Sequence, residues 1–92
     1  MDRFKAMQTF VQIADQGSLT RAAEALGSSL PAVVRALAAL EAHLGVRLFH
    51  RTTRRLSLTE EGRSYLPSAR EVLLAADAAD LALKAEAREP AG

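Results

Sequence analysis

Arginine side chains are the groups in this chain with the most evident chemistry, and they are concentrated in one part of it. Between Ser18 and Thr59 there are six arginines and two acids, a local balance of +4, whereas the whole chain of 92 residues carries a net charge of +1. The arginines are Arg21, Arg35, Arg47, Arg51, Arg54 and Arg55, and the acids are Glu24 and Glu41. Guanidinium groups bind phosphate and present paired donors to planar acceptors. One positively charged surface with a phosphate-bearing partner is therefore expected.

Other kinds of chemistry have little support in the sequence. There is no cysteine, and His43 and His50 have no partner acid or nucleophile at a fixed spacing, so the sequence predicts no metal, no cofactor and no enzymatic activity. Glu60 and Glu61 are adjacent, point in different directions on a helix and cannot act as a carboxylate pair. No apolar run approaches the roughly 18 residues that cross a bilayer, and no signal peptide begins the chain, so a cytoplasmic protein is expected.

A small helical domain is expected to position the arginines, because apolar residues recur at helical spacing through the first half of the chain. We expect one helix over Asp2–Gln16, a short second helix from about Leu19 to Leu26, and a third from about Leu30 to Leu44. A glycine follows each helix, and Ser18 and Ser29 precede the second and third as caps. An apolar fraction of 49% is ample for a single core.

The third helix has two distinct faces. Its predicted core stripe consists of Val33, Leu37, Leu40 and Leu44. Its opposite face consists of Pro31, Val34, Arg35 and Ala38. Two short helices joined by a Gly-Ser-Ser turn are typical of a helix-turn-helix, whose second helix enters a DNA groove about 12 Å wide. The small residues on the opposite face would let the helix backbone lie deep in such a groove.

After Gly45 the pattern changes from helical spacing to alternation, which predicts two short strands. In these strands Val46, Leu48, Leu56 and Leu58 are expected to point one way, and Arg47, Arg55 and Ser57 the other way. The loop between the strands, Arg51–Arg54, has the composition of an exposed basic turn. We therefore interpret the pair of strands as a wing beside the helix-turn-helix.

A long last helix is predicted from Glu60, capped by Thr59, to about Arg88. Pro67 lies inside this pattern, so we expect a kink or a boundary there. An apolar seam near heptad spacing consists of Leu66, Ala69, Leu73, Ala76 and Leu83. This seam has two interpretations: it packs on its own domain, or it pairs two copies of the chain. A helix of about 27 residues is some 40 Å long, which is longer than a domain of this size covers and favours the dimer.

These elements divide the chain into three parts. We expect a winged helix-turn-helix over residues 1–59, a linker and dimerisation helix over residues 60–89, and a frayed tail at residues 90–92. The expected fold class is mainly α, with three helices and a two-stranded wing followed by a long C-terminal helix.

Five segments, in order, make the chain similar to a known family. They are Phe10–Ala14, Gly17–Ala23, Pro31–Arg35, Leu40–Glu41 with Leu44–Phe49, and Arg51–Thr52 followed by Leu58–Gly62. Over nearly its whole length the chain resembles the N-terminal DNA-binding domain and linker helix of LysR-type transcriptional regulators. The resemblance implies a homodimer paired through the linker helices, with each third helix in a major groove of double-stranded DNA and each wing arginine in the adjacent minor groove. It also implies a small-molecule effector that binds a further domain, outside this chain.

The resemblance carries the family's base-reading positions onto a few residues of the third helix and the wing. They are Leu30, Pro31, Val34 and Arg35, with Arg54 in the wing. The chain departs from the usual pattern at Leu30, which replaces a glutamine, and at Val34, which replaces a serine. Apolar side chains pack on thymine methyl groups but cannot form the paired hydrogen bonds that read adenine. We therefore expect each half of a pseudo-palindromic operator to be read by Arg35, methyl contacts and DNA shape.

Candidate phosphate contacts are the polar residues that flank these positions. They are Ser18, Thr20, Arg21, Ser29, Arg47, Arg51, Thr52, Thr53 and Arg55. For several of them a second role stays open. The two serines and Thr20 are helix caps first, although a hydroxyl at a helix N-terminus also binds phosphate. The wing arginines are equally able to pair with Glu41 and Glu60.

Two other functions fit the same elements. One is DNA binding by another winged-helix family, such as the molybdate-responsive regulators. The other is a protein-interaction or dimerisation module that keeps the fold without specific DNA recognition, which the apolar Leu30 and Val34 favour. The dependence of duplex binding on salt separates this module from the DNA-binding functions.

Overall fold

The computed structural model of the chain describes residues 1–52 and 55–88. Its elements are α1 (Arg3–Gln16), α2 (Leu19–Leu26), α3 (Leu30–Leu44), β1 (Phe49–Arg51), β2 (Leu56–Leu58) and α4 (Glu60–Arg88). This order confirms the predicted fold class, with three helices, a two-stranded wing and a long last helix. Within the described ranges, no single helix is both long enough and apolar enough to cross a membrane.

The turn between α2 and α3 is formed by the residues that the sequence singles out. Ser18 accepts a hydrogen bond from the backbone N–H of Arg21, and Ser29 accepts one from the N–H of Ala32, each at 3.2 Å. Gly27 ends α2 with φ 63°, a left-handed conformation that other residues adopt at a cost. The chain changes direction by 104° between α2 and α3. This angle lies within the range of a helix-turn-helix.

The hydrophobic core lies between α1, α2 and α3, and the first half of α4 covers it. Phe10 lies at the centre, with its ring centroid 5.5 Å from that of Phe49 and 5.4 Å from that of Tyr65. Burial raises the pKa of the Tyr65 hydroxyl above its usual value of 10.0, against a smaller opposing effect of Arg3, so the phenol is neutral at physiological pH. The predicted core stripe of α3 is confirmed, with three of its residues buried and the last half-buried: Val33, Leu37, Leu40 and Leu44.

The wing is a two-stranded antiparallel sheet. Its register pairs Phe49 with Leu58, His50 with Ser57, and Arg51 with Leu56. Directly opposed residues of an antiparallel pair lie on the same face, and alternate residues of a strand share a face. Arg51 therefore lies on the face of the buried Phe49, whereas the exposed His50 and Ser57 lie on the other.

The structure corrects the bounds of the predicted wing. Arg47 and Leu48 were expected in the first strand and Arg55 in the second, but they precede β1 and β2. Val46 was expected in the first strand, but it is exposed and precedes β1, because its backbone N–H, like that of Gly45, still donates to the carbonyl of Glu41 at the end of α3. Arg51 was expected in the loop, but it is the last residue of β1. The predicted loop residues Thr53 and Arg54 lie outside the described residues.

Helix α4 is continuous from Glu60 to Arg88, so the boundary expected at Pro67 is wrong. Leu66 and Ala69, on either side of the proline, pack against the core and stabilise the helix through this position, while the proline itself is exposed. Arg70 donates two hydrogen bonds to the carboxylate of Asp15 near the end of α1, one of them at 3.3 Å. The second half of α4 extends away from the core and gives the molecule its extent of 60 Å in one direction against 25 and 22 Å in the others.

The predicted dimer seam does not lie on one free face of α4. Ala69 is fully buried in its own protomer, so it has no surface to offer a second copy. Leu66 and Leu73 are half-buried against the same core, and Ala76 is half-buried. Leu83 alone of the five is well exposed, at 68%. The first half of the seam therefore follows the alternative interpretation, in which it packs on its own domain, because α4 lies directly over α1 there.

Candidate nucleic-acid interface

The outer face of α3 is free in the structure, as the sequence predicts. Pro31 and Arg35 are exposed, and Leu30 is 42% exposed. Val34 is half-buried, because it lies nearer the core stripe than the other three. The helix therefore presents an apolar patch and one guanidinium group to the outside, in its first two turns.

Helix α2 and the turn contribute polar groups beside this face. Thr20 and Arg21 are exposed on α2, and the capping hydroxyls of Ser18 and Ser29 lie at the N-termini of α2 and α3. A hydroxyl that accepts a hydrogen bond still has its own hydrogen to donate. Capping and phosphate binding are therefore compatible roles for both serines.

A groove of about 460 Å³ joins the outer face of α3 to the base of the wing. Its lining consists of Ala38, Glu41, Ala42, Gly45, Val46, Arg47 and Arg51. Ala38 continues the exposed face of α3 that includes Arg35, one turn earlier. The wing arginines and the outer side of α3 therefore belong to one continuous surface of the protein.

The arginines at the wing base are arranged around one acid. The carboxylate of Glu41 lies 3.3 Å from Nη2 of Arg51 and 3.8 Å from Nε of Arg47. The side chain of Arg47 is 67% exposed, whereas that of Arg51 is 31% exposed. The structure thus brings two of the predicted phosphate contacts together around one intramolecular partner, and the less exposed one, Arg51, also forms a hydrogen bond with it.

Thr52, another predicted phosphate contact, forms hydrogen bonds within the hairpin turn. The hydroxyl of Thr52 accepts a hydrogen bond from the backbone N–H of Arg55 at 3.0 Å and donates to the carbonyl of Arg55 at 3.2 Å. The guanidinium of Arg55 is exposed. Predictions for Thr53 and Arg54 fall outside the described residues. Across residues 1–52 and 55–88, no three side chains of the metal-binding types come together to hold an ion.

The sequence left the pairing of Glu41 with the wing arginines as one of two alternatives, and the structure contains these pairs. Sequence reasoning missed the close packing of Gly62 and the pair between Asp15 and Arg70. Glu41 had a detectable signal, since it lies four residues after Leu37 and three before Leu44, within the core stripe of α3. Gly62 had a weaker one, because a glycine inside a helix is destabilising unless packing requires it. The pair between Asp15 and Arg70 spans 55 residues and has no local signal.

The fold and the surface together define a class of protein. An exposed second helix in a helix-turn-helix, flanked by a two-stranded wing with arginines at its base, is the arrangement that reads duplex DNA. The chain is a winged helix-turn-helix DNA-binding domain.

Comparison with known proteins gives the family. The family model described as "Bacterial regulatory helix-turn-helix protein, lysR family" matches residues 4–63. The chain belongs to this LysR family. It is 45% identical over 92 residues to the HTH-type transcriptional repressor PA14_22550 of Pseudomonas aeruginosa, and 44% identical over 86 residues to the HTH-type transcriptional regulator CrgA of Neisseria meningitidis. These matches cover 100% and 94% of this chain but 29% of each relative.

Solved structures of the same family have the same fold. The CbnR_DBD–DNA complex aligns with a TM-score of 0.84 and 36% identity, covering 91% of this chain and 97% of that one. The BenM_DBD/catB site 1 DNA complex aligns with a TM-score of 0.87 and 28% identity, covering 91% and 94%. Both are complexes of a DNA-binding domain with DNA.

Proposed function

We propose that the chain binds operator DNA as a twofold dimer, with α3 in the major groove and the wing against the adjacent minor groove. The observation that carries this proposal is the continuous surface from Arg35 on α3 to the arginines at the wing base. The similarity to two domains solved with DNA supports it further. The operator is pseudo-palindromic, with half-sites about one helical turn or a multiple of it apart.

In this proposal Arg35 reads a guanine, because its guanidinium is exposed at the part of α3 that enters the groove first. Leu30, Pro31 and Val34 contact thymine methyl groups, and Arg54 of the wing enters the minor groove. Phosphate contacts come from the exposed or capping polar groups around α2, α3 and the wing: Ser18, Thr20, Arg21, Ser29, Arg47 and Arg55. Thr53, which lies outside the described residues, is proposed as a further phosphate contact, whereas the hydroxyl of Thr52 is used within the turn.

The second half of α4 is proposed to pair the two copies, while residues 1–59 read the DNA and residues 60–89 link and dimerise. Its largest apolar side chains, Val72, Leu74, Leu81 and Leu83, are exposed. Val72, Ala76, Ala79 and Leu83 follow each other at spacings of four, three and four, as in a helix-pairing seam. Alanine in such a seam lets two helices approach closely.

The whole protein is proposed to be a bacterial transcriptional regulator that acts in the cytoplasm and has no enzymatic activity. The relatives it matches are a repressor and a regulator by name. Because the chain spans 29% of their length, a small-molecule effector would bind in the part of such a protein that residues 1–92 do not include.

A salt titration of duplex binding tests this function. Each neutralised phosphate contributes a slope of about −0.9 to the logarithm of affinity against that of salt. A dimer with six or more phosphate contacts is expected to give a slope of about −5 or steeper, on a duplex selected by the chain from random DNA. A flat response would favour the protein-interaction module, which the exposed Leu30 supports.

Replacing Arg35 with methionine is expected to weaken binding to the selected duplex by roughly a hundredfold or more, because each protomer of the proposed dimer loses a bidentate guanine contact worth about 1–3 kcal/mol. Binding to a scrambled duplex should change much less. Fluorescence anisotropy on both duplexes measures this. Arg88→Met is the control, since it removes the same charge from the far end of α4. If Arg35→Met and Arg88→Met lost equal amounts of affinity for the selected duplex, Arg35 would not contact a base.

Replacing Leu83 with lysine is expected to separate the dimer and to weaken operator binding by about tenfold to a hundredfold, because the second half-site is then no longer tethered to the first. Analytical ultracentrifugation measures the mass, and anisotropy measures the affinity. Asp77→Asn makes the same change in charge on the face of α4 that includes Leu74 and Leu81, opposite to the seam of Val72, Ala76, Ala79 and Leu83, and should leave both unchanged. A dimer that persists in Leu83→Lys would place the pairing surface elsewhere.

A further inference from the structure

Glu41, in the last turn of α3, joins the two elements that the proposed function assigns to DNA. We propose that its carboxylate is a positioning residue, which fixes the wing relative to α3 and keeps Arg51 from binding phosphate. This inference rests on the proposed function and deepens it, because it concerns how specificity arises at the same surface. The proposal is that DNA discrimination depends on this acid although it does not contact DNA.

The contacts of Glu41 are unusual for an acid on a DNA-facing helix. Its side chain is only 8% exposed. The backbone N–H of Leu48 donates to Oε2 at 2.7 Å, a charge-assisted bond at the short end of the usual range. Arg51 donates from Nη2 to Oε1 at 3.3 Å, and Nε of Arg47 lies 3.8 Å from Oε2. One carboxylate thus binds the chain just before β1 and a side chain at the end of β1.

The hydrogen bonds continue from the wing base to α4. The backbone N–H of Thr59 donates to the carbonyl of Leu48 at 3.0 Å, and its hydroxyl donates to the carbonyl of Arg47 at 2.6 Å. The same hydroxyl accepts from the N–H of Gly62 at 2.9 Å. Glu41 is therefore the side chain of α3 at one end of a network that fixes both strands and the start of α4.

The position of Arg51 follows from the strand register. Arg51 is paired with Leu56 on the face that it shares with Phe49, towards the core. Glu41 uses one of the five N–H donors of the Arg51 guanidinium and holds the group beside α3. Turning the guanidinium outward to a phosphate would leave the buried carboxylate without this partner, which is costly. Arg51 therefore serves the wing's placement, whereas the largely exposed Arg47 remains free to reach phosphate as well.

This arrangement limits indiscriminate binding. Phosphate contacts give affinity for every duplex, whereas base contacts distinguish one sequence from another. With Glu41 present, one arginine contributes no phosphate contact, and the wing is held at a fixed place beside α3. Removing the carboxylate of Glu41 would free the Arg51 guanidinium to bind phosphate and would loosen the wing. Affinity for any DNA would then rise, and the preference for the operator would fall.

Salt titrations of three variants of the 92-residue chain, on the selected duplex and on a scrambled duplex, test the proposal. In Glu41→Gln, we expect a slope more negative by about 1.8, which is about 0.9 for the Arg51 of each protomer of the proposed dimer. We also expect the specificity ratio, which is the affinity for the selected duplex divided by that for the scrambled duplex, to be lower by about tenfold, the size of one lost base-pair preference. In Arg51→Gln, we expect an unchanged slope and a similarly lowered ratio. Glu24→Gln removes an exposed acid from α2 and should leave both quantities at the wild-type value.

Several results would overturn the proposal. A slope less negative by about 1.8 in Arg51→Gln, about 0.9 for each protomer, would make Arg51 a phosphate contact, and an unchanged ratio in that variant would exclude a positioning role. The positioning role would also be excluded if a folded Glu41→Gln variant had the same salt slope and the same specificity ratio as Glu24→Gln. If circular dichroism shows Glu41→Gln to be unfolded, Arg51→Gln decides alone. Failure of the proposed function is distinguishable, because the wild-type chain itself would then give a flat salt response.

Discussion

Replacing Phe10 with alanine is expected to lower the free energy of unfolding by about 4 kcal/mol. The side chain has no exposed surface, and its ring contacts those of Phe49 and Tyr65, which belong to the wing and to α4. Its removal would leave a cavity where these elements meet α1. A domain of this size has roughly 5–15 kcal/mol in all, so the loss is a large fraction of the total.

The measurement is urea denaturation at one fixed protein concentration, because the proposed dimerisation would add to apparent stability. Phe4→Ala is the matched control, since it removes the same side chain from a partly exposed position on the same helix. It should cost less than about 1 kcal/mol. Equal losses at the two positions would show that Phe10 is not the centre of the core.

Replacing Gly62 with alanine is expected to cost about 3 kcal/mol and to lower Tm by roughly 12–24 °C. A Cβ at this position would lie 2.1 Å from the carbonyl oxygen of Leu48 and 3.0 Å from Cδ2 of Leu58. The first of these atoms belongs to the backbone of the wing base and cannot rotate away. Either the start of α4 or the wing must therefore move.

Thermal unfolding, monitored by circular dichroism, measures this change in Tm directly. Ser64→Ala, two residues further on and exposed, is the control and should change Tm by no more than a few degrees. If Gly62→Ala were as stable as Ser64→Ala, the wing and α4 would not be in the close contact that the structure gives them. Operator binding by any Gly62→Ala that remains folded should also fall, since the wing is displaced.

Local signals explain why most of the helices were predictable. Ser18, Ser29 and the glycines after each helix act within a few residues of their own position, so the caps and ends follow from the sequence alone. The α3 stripe was predictable for a similar reason, because helical spacing separates Leu37 and Leu40 from Arg35 without knowledge of the rest of the fold.

Heptad spacing on α4 was a weaker guide, since it indicates an apolar face without indicating what covers that face. Ala69 and Leu83 have the same pattern, yet one is buried in its own protomer and the other is exposed. The difference depends on where α4 leaves α1, which is a tertiary property. Pro67 failed as a boundary for the same reason, because packing of its neighbours outweighs its local cost.

The candidate site was predictable in outline but not in its internal pairing. The outward direction of Arg35 follows from spacing, whereas the inward direction of Arg51 depends on the register of the two strands, and the sequence analysis placed Arg51 in the loop between them. A cationic side chain in a basic segment gives no indication of whether its partner is phosphate or a carboxylate. For Arg51, the buried position of the Glu41 carboxylate beside it is what favours the carboxylate as its partner.

The ion pair between Arg70 and Asp15 bears on operator length. About 18 residues of α4 lie beyond this pair, a distance of about 27 Å. A tilt of about 10° at the pair would displace the far end of the helix by about 5 Å, which exceeds the rise of roughly 3.4 Å between successive base pairs. In the proposed twofold assembly, joined through that far end, one contact far from the DNA is thus expected to influence the number of base pairs that separates the two half-sites.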